Sequence, residues 1–442
     1  MNSEIQWFEK PLGEVTCNHD GKRKPVKESE RKKGPYPYYG ASGIVDYVDG
    51  YLFDGHYLLI AEDGENLRTR QTPIAFMADG KFWVNNHAHI VTGNEEVTTE
   101  YLHYFLQYAD IQSYLTGAVM PKLTQGNLNR IPVRYPEPDY QKQIVQLLGF
   151  FDRKIDLNRH INQTLEAMAQ AIFKSWFVDF DPVKAKIAAI EQGQDPLRAA
   201  MRAISGKNDA KLDQMPREHH DQLAATAALF PDAMEESELG EIPKGWAVGT
   251  LADLCHLNPE SWSARTLPDT VRYVDLANAK VGEISEVQSL GGKDIPSRAR
   301  RILRYGDTIV GTVRPGNRSF ALIGEDGLTG STGFAVLRPK SAHWLEFVHL
   351  VATSEANIER LAHLADGGAY PAVRPEIVVQ EDVAIPTKSI VQAFSQHVKP
   401  LFAKILSNRK SAVSLAELRD TLLPKLLSGE ISVETLMNEV AQ

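Results

Sequence analysis

Cysteine is scarce in this chain, with only Cys17 and Cys255 among 442 residues. That excludes a disulfide framework or a Cys-rich zinc site, and it points to a reducing, cytoplasmic compartment. No apolar run approaches the roughly 18 residues of a membrane span, so no membrane partner is expected. The opening Met1-Asn2-Ser3-Glu4-Ile5-Gln6 lacks the basic start and apolar core of a secretion signal. An excess of positive charge is missing too: 48 Lys and Arg face 57 Asp and Glu, a net charge of −9. Nucleic-acid binding by bulk charge is thereby excluded, and a reader of nucleic acid would need local basic patches. Catalytic signatures are also absent. Gly291-Gly292-Lys293-Asp294 lacks the spacing and the hydroxyl of a phosphate loop, and neither Gly-x-Ser-x-Gly nor His-Glu-x-x-His occurs. ATP-driven or hydrolytic chemistry is not expected in this chain.

What is present is an ordinary globular composition, 43% hydrophobic and 24% charged, long enough for two or three domains. An internal repeat organises it. Gly117-Ala118-Val119-Met120-Pro121-Lys122-Leu123 is echoed by Gly367-Gly368-Ala369-Tyr370-Pro371-Ala372-Val373, 250 residues later. In the same order, Gly55 to Ile60 parallels Gly306 to Gly311, Glu100 to His103 parallels Glu346 to His349, and Ile131-Pro132 parallels Ile385-Pro386. Asn158-Arg159 matches Asn408-Arg409, and Trp7 to Leu12 matches Trp246 to Leu251. Common order and similar offsets imply duplication, hence tandem domains rather than a solenoid.

Each copy begins with short strands punctuated by Gly, Asp and Asn. They are expected at Tyr57 to Ala61, Pro73 to Met77 and His89 to Val91, then at Thr308 to Val310, Phe320 to Ile323 and Phe334 to Leu337. One helix follows in each, Thr99 to Leu115 and Leu345 to Leu364. Each copy then ends in a long helix. From Tyr140 to Trp176 a seam runs through Ile144, Leu148, Phe151, Ile155, Ile161, Leu165, Met168 and Ile172. From Ser389 to Leu427 it runs through Ile390, Phe394, Val398, Leu401, Ile405, Leu415, Leu418 and Leu422. About 36 residues make a rod of roughly 50 Å, too long to bury its seam on one small domain. The two rods are therefore expected to pack together as an antiparallel coiled coil, with the globular parts at opposite ends. Asn158 and Asn408 lie near the seam, either as a buried pair fixing register or as solvated positions; the rarity of buried Asn favours the second.

The fold class is thus α+β: two mixed α/β domains, 1–138 and 239–387, with spacer helices at 139–178 and 388–430 and a tail at 431–442. Residues 179–238 have no counterpart, are acidic and Ala-rich, and read as a partly helical linker or docking segment behind an Asp181-Pro182 stop.

His87 and His89 share one face of a candidate strand, as metal ligands would; without a third ligand, a core or hydrogen-bonding role is favoured and no metal is expected. Glu62-Asp63-Gly64-Glu65 reads as a turn rather than a metal-carboxylate nuclease, since copy two has Thr312-Val313-Arg314 there. The positive features suit a DNA reader. Copy one carries Lys22, Arg23, Lys24, Arg31, Lys32 and Lys33, followed by Tyr36, Tyr38 and Tyr39, then Arg68, Arg70 and Lys122. Copy two carries Arg298, Arg300, Arg301, Arg304, Arg314 and Arg318. Arg can read guanine edges and Lys clusters neutralise phosphates, so these are the DNA-binding candidates.

This layout resembles the DNA specificity subunit of type I restriction-modification enzymes. The resemblance rests on Gly117 to Leu123, Ile131 to Pro138 leading into Gln141-Lys142-Gln143-Ile144, Asp152-Arg153-Lys154-Ile155, and Gly306 to Arg318. Copy two departs from it at Ser389-Ile390-Val391-Gln392. The resemblance implies two target recognition domains reading a bipartite site on double-stranded DNA, and spacer helices docking two methyltransferase subunits. It implies a non-catalytic chain that holds no cofactor, with S-adenosylmethionine, ATP and Mg on the methyltransferase and restriction/translocase partners. The competing expectations are an interaction scaffold without DNA selectivity and a stand-alone nuclease using Glu62 and Asp63.

Overall fold

The computed structural model describes residues 5–365 and 371–440, with the backbone alone for 437–440. The Gly367-Gly368-Ala369-Tyr370 part of the repeat echo lies outside the described residues. The chain forms two compact units, Met1–Leu157 with Ser411–Gln442, and Asn158–Lys410. Both divisions fall inside the two long helices. Among the described residues, no helix is long and apolar enough to cross a membrane.

In the first unit a six-stranded sheet has the order Thr16–Asn18, Ala88–Gly93, Phe53–Ala61, Ala75–Val84, Lys33–Gly40, Gly43–Val48. Its central strand explains the unbroken run Leu58-Leu59-Ile60. Leu58 and Ile60 face a core with Tyr101, Leu102 and Leu106 of the helix Thr99–Tyr108, while Leu59 faces a second cluster with Phe53, Phe82 and Ile90. A strand covered on both faces has no polar alternation to display. The helix ends at Tyr108, short of the expected Leu115, and a 3-10 turn at Gln112–Tyr114 carries the chain onward.

The second unit holds two four-stranded sheets. One runs Cys255–Leu257, Phe334–Pro339, Thr308–Gly311, Phe320–Leu322; the other runs Gln288–Gly291, Thr270–Val274, Leu328–Ser331, Ala299–Leu303. The single helix expected at Leu345 to Leu364 is two, Leu345–Ala352 and Glu355–Ala365. Thr353 turns its hydroxyl back onto the His349 carbonyl and Asn357 donates to the Ala352 carbonyl, closing the first helix where the second begins.

The repeat is visible hydrogen bond by hydrogen bond. Strand Trp7–Pro11 pairs Pro132–Pro136, and Ala247–Thr250 pairs Asp382–Ile385, both antiparallel. The N–H of Leu12 meets the Ile131 carbonyl at 2.8 Å, and that of Leu251 meets Glu381 at 3.1 Å, so Glu381-Asp382 is the structural counterpart of Ile131-Pro132 and the Ile385-Pro386 echo is four residues out of register. Leu123 donates to Glu62 at 2.8 Å, and Val373 to Thr312 at 2.9 Å.

The long helices are Pro138–Phe177 and Lys388–Ser428, each within two residues of expectation at either end. Pro138 suits a first helical turn, whose N–H groups have no partner anyway. The first helix ends before Phe180, which is left-handed at φ +57°; Asp181-Pro182 does not stop it but opens the next helix, Asp181–Glu191. Within each unit the two long helices pair antiparallel. In the first unit Tyr140 bonds the N–H of Val433 while Asp152 meets Arg419. In the second, Asn162 meets Asn408 while Phe173 packs on Phe394. Ile144, Leu148, Phe151, Ile155, Ile390, Phe394 and Ile405 are buried, each fully buried side chain contributing about 2 kcal/mol of transfer free energy. Leu165 and Leu401 are partly buried against the core, and Leu415 is half-buried. Met168 and Leu418 instead face outward at 47% exposure each, because steps of three and four over ten turns let the stripe drift around the helix.

Asn158 and Asn408 are both buried, which overturns the solvated reading. Asn408 does not pair with Asn158: it donates to Asn162 at 2.9 Å, one turn further along. The acidic segment forms four helices, Asp181–Glu191, Pro196–Ser205, Asp209–Asp213 and Arg217–Leu229. Val183 and Phe230 seat it in the core beside Trp176 and Trp246.

Candidate nucleic-acid interface

Four loops of the first unit meet at one edge of its sheet. Arg23 binds Glu62 and the Ala88 carbonyl, both at 2.7 Å, and Lys122 reaches Glu62 at 3.1 Å. Gly64 donates to the Pro121 carbonyl, Arg68 to the Gly117 carbonyl, and His87 pairs with Asp63 at 2.7 Å. Beneath them, Asp20 accepts from the Ile90 N–H and lies 2.5 Å from His89, whose other ring nitrogen meets the Leu123 carbonyl. Burial pushes the Asp20 carboxyl up, but His89, the Ile90 N–H and Arg23 outweigh it and hold the group below its ordinary range. Glu62 follows the same pattern: burial raises it, and Arg23, His89 and Lys122 bring it lower overall.

His87 and His89 therefore do not form a two-ligand face. His87 precedes the strand Ala88–Gly93 in a turn, while His89 is a buried hydrogen-bonding residue. Glu62 and Asp63 are each engaged by cationic or imidazole neighbours. Among the described residues, no group of three or more His, Cys, Asp or Glu is placed to hold a metal ion.

The basic candidates divide by what they touch. Lys22, Lys24, Lys32 and Lys33 are exposed, and among the described residues none forms an ion pair. Arg31 stacks 4.5 Å from the ring centre of buried Tyr38 and pairs with Asp46, so it braces the loop before the strand Lys33–Gly40. Arg70 is left-handed at φ +48° and donates to the carbonyls of Leu106, Gln107 and Ala109, closing the end of the Thr99–Tyr108 helix. Nearby, Tyr36 and Tyr51 pack at 5.1 Å, and Lys81 lies over Tyr51. Ile44, Val45 and Tyr47 are exposed on the edge strand.

In the second unit most arginines are already partnered. Arg298 binds the Tyr273 hydroxyl and Asp275; Arg300 meets the Ser297 carbonyl; Arg301, half-buried, meets Ser261. Arg304 pairs with Glu260, which also takes Arg338, and the two guanidinium groups hold the Glu260 carboxyl down at about 2. Arg338 also forks onto buried Asp307 at 2.8 Å. Arg318, left-handed like Arg70, pairs with Glu355 at the start of the second short helix. Arg314 alone of this group is exposed with no side-chain hydrogen bond or ion pair among the described residues.

Sequence reading missed the fastening of domain to helix. Gln141 is wholly buried, accepting from the Thr98 N–H and donating to the Glu96 and Pro136 carbonyls. Counted from the helix starts Pro138 and Lys388, its counterpart is Val391 rather than Ser389; Val391 is also wholly buried but apolar, so a hydrogen-bonded joint is replaced by a packed one. Also missed was the triad in which Asp152 takes Tyr104 and Arg419.

A family model described as "Type I restriction modification DNA specificity domain" matches residues 4–167. The HindI type I restriction enzyme specificity subunit of Haemophilus influenzae is 30% identical over 359 residues, covering 76% of each chain. The MjaIX specificity subunit of Methanocaldococcus jannaschii is 24% identical over 455 residues, covering 97% of this chain and 93% of that one. Among solved structures, the type I restriction-modification S subunit from M. genitalium aligns over 96% of this chain and 97% of its own, with a TM-score of 0.50 and 12% identity, a likeness of fold.

Proposed function

The chain belongs to the type I restriction-modification DNA specificity subunits, and from that membership we propose that its two repeats read two unlike halves of one bipartite target. One observation carries the reading: a shared loop frame bears different chemistry in each copy. Gly64 and Arg314 both donate to the repeat proline, at Pro121 and Pro371, yet the adjoining residues are Glu62 and Asp63 in one copy and Thr312 and Val313 in the other. In the first copy Glu62 and Asp63 are taken up by Arg23, Lys122 and His87, whereas in the second the exposed Arg314 is free to donate to guanine, so equivalent frames present non-equivalent surfaces to a duplex. The lysines without ion pairs supply phosphate contacts, which position a duplex without reading it.

The long helices are the proposed docking element for two methyltransferase subunits. Support comes from apolar side chains turned away from the pair: Phe150, Leu157, Val413 and Leu418 in the first unit and Met168 in the second, all at least 47% exposed. A docked subunit would remove this apolar surface from water. S-adenosylmethionine, ATP and Mg belong, in this proposal, to methyltransferase and restriction/translocase subunits, and the target adenine leaves the stack for modification on the former.

Co-expression with the methyltransferase of the same source tests this. The expected result is a stable complex that methylates an interrupted duplex motif, while the purified chain alone with Mg²⁺ leaves DNA uncut. Metal-dependent cutting by the chain alone would favour the nuclease reading; tight protein binding without sequence selectivity would favour the scaffold.

A further inference from the structure

Gly64 and Arg314 occupy one place in the repeated frame, and both have left-handed backbone, at φ +114° and +47°. Glycine adopts that conformation without steric cost, whereas an arginine sets its Cβ against the neighbouring carbonyl. The frame enforces it nonetheless. The Arg314 N–H meets the Pro371 carbonyl and its own carbonyl accepts from Asn317, both at 2.8 Å; Val313 bridges to Ala372, and buried Pro315 follows. The side chain rising from this support is exposed and unpartnered among the described residues, while Arg298, Arg304, Arg318 and Arg338 are all tied to carboxylates. A strained backbone under an unengaged guanidinium contributes nothing to the fold, and strain of this kind gathers at functional positions.

We propose that Arg314 is a specificity-determining residue of the second repeat, donating its two-pronged fork to the edge of a guanine in target DNA. This deepens the DNA-reading function and rests on it. A phosphate would need only a charge, which a flexible lysine supplies; a base edge rewards a guanidinium whose origin is fixed.

The test uses the full chain in complex with its methyltransferase and the variants Arg314→Gly and Arg314→Lys. Methylation is measured on duplexes in which the wild-type target is changed one base pair at a time. Arg314→Gly is expected to unfold at or above the wild-type temperature, because glycine accepts the left-handed conformation, yet to lose about 5- to 150-fold discrimination at one guanine of one half-site. Arg314→Lys keeps the charge and loses the same discrimination. Uniformly weaker methylation of all duplexes with a flatter salt dependence would make Arg314 a phosphate contact and overturn the proposal. Unchanged discrimination, or a lowered unfolding temperature for Arg314→Gly, would also overturn it. A wild-type complex with no target preference would instead overturn the DNA-reading function itself, and the role of Arg314 with it.

Discussion

Arg70 and Arg318 look alike in sequence to Arg68 and Arg314, four arginines in or beside two short helical turns, yet they do different work. Arg70 closes three helix carbonyls and Arg318 pairs with Glu355. Replacing Arg70 by Ala leaves those carbonyls without their charged donor, and unfolding in urea should register a loss of roughly 2 kcal/mol. Replacing Lys32 and Lys33 together by Ala should leave stability within about 0.5 kcal/mol of wild type. The same pair should lower the salt slope of duplex binding by the complex by about 2 if both meet phosphate. His349 provides a pH signature. Burial, with the Arg409 charge beside it, pushes its imidazole down to about 3, and its Nδ1 lies 3.2 Å from the Thr308 hydroxyl. The folded chain therefore binds fewer protons than the unfolded chain between pH 6.5 and 3, so this contribution is complete above about 6.5 and declines as pH falls through that window. At pH 5 the loss is about 2 kcal/mol relative to pH 7. His349→Gln should flatten this dependence of the urea midpoint; an unchanged slope would remove His349 as its source.

The two long helices were the most legible elements, because Ile144, Leu148, Phe151 and Ile155 repeat at a period that no strand or loop shares. What the pattern could not assign was the polar residue at the seam. Asn158, Asn162 and Asn408 are all Asn near apolar neighbours, and only the register of the antiparallel pair selects Asn162 as the partner of Asn408. Asn162→Leu alone leaves the Asn408 amide buried and unpaired, which should cost about 1–3 kcal/mol, whereas the double change to Leu should be neutral or stabilising by thermal unfolding. The break at Thr353-Ser354 was hidden for a related reason: both flanking segments are helical in pattern, and the local side-chain bonds that separate them have no periodicity. If the helices set the gap in the target, adding about one turn after Leu157 and one before Ser411 should lengthen the gap and leave the half-site bases unchanged. Altered half-site bases would contradict that role.

Duplication made the architecture of the whole molecule readable from one sequence, since Gly117 to Leu123 and its echo fix equivalent positions without a second chain for comparison. Charge worked in the opposite direction. The dense arginine run in copy two invited a DNA-binding reading, but Asp275, Glu260 and Glu355, distant in sequence, engage Arg298, Arg304 and Arg318 in the fold. In a chain of net charge −9, Arg298, Arg304 and Arg318 of the dense second-copy run are thus tied to carboxylates, whereas Lys22, Lys24, Lys32 and Lys33 of the first copy are exposed and form no ion pair among the described residues. The central claim is that this chain chooses the DNA sequence on which its partners act. It is tested most directly by mapping adenine methylation across the source genome, by single-molecule sequencing, with the chain present and with it deleted. The account predicts the loss of one interrupted motif, with all other methylated motifs retained. Retention of every motif in the deletion strain, while the partner methyltransferase is expressed and active, would contradict it.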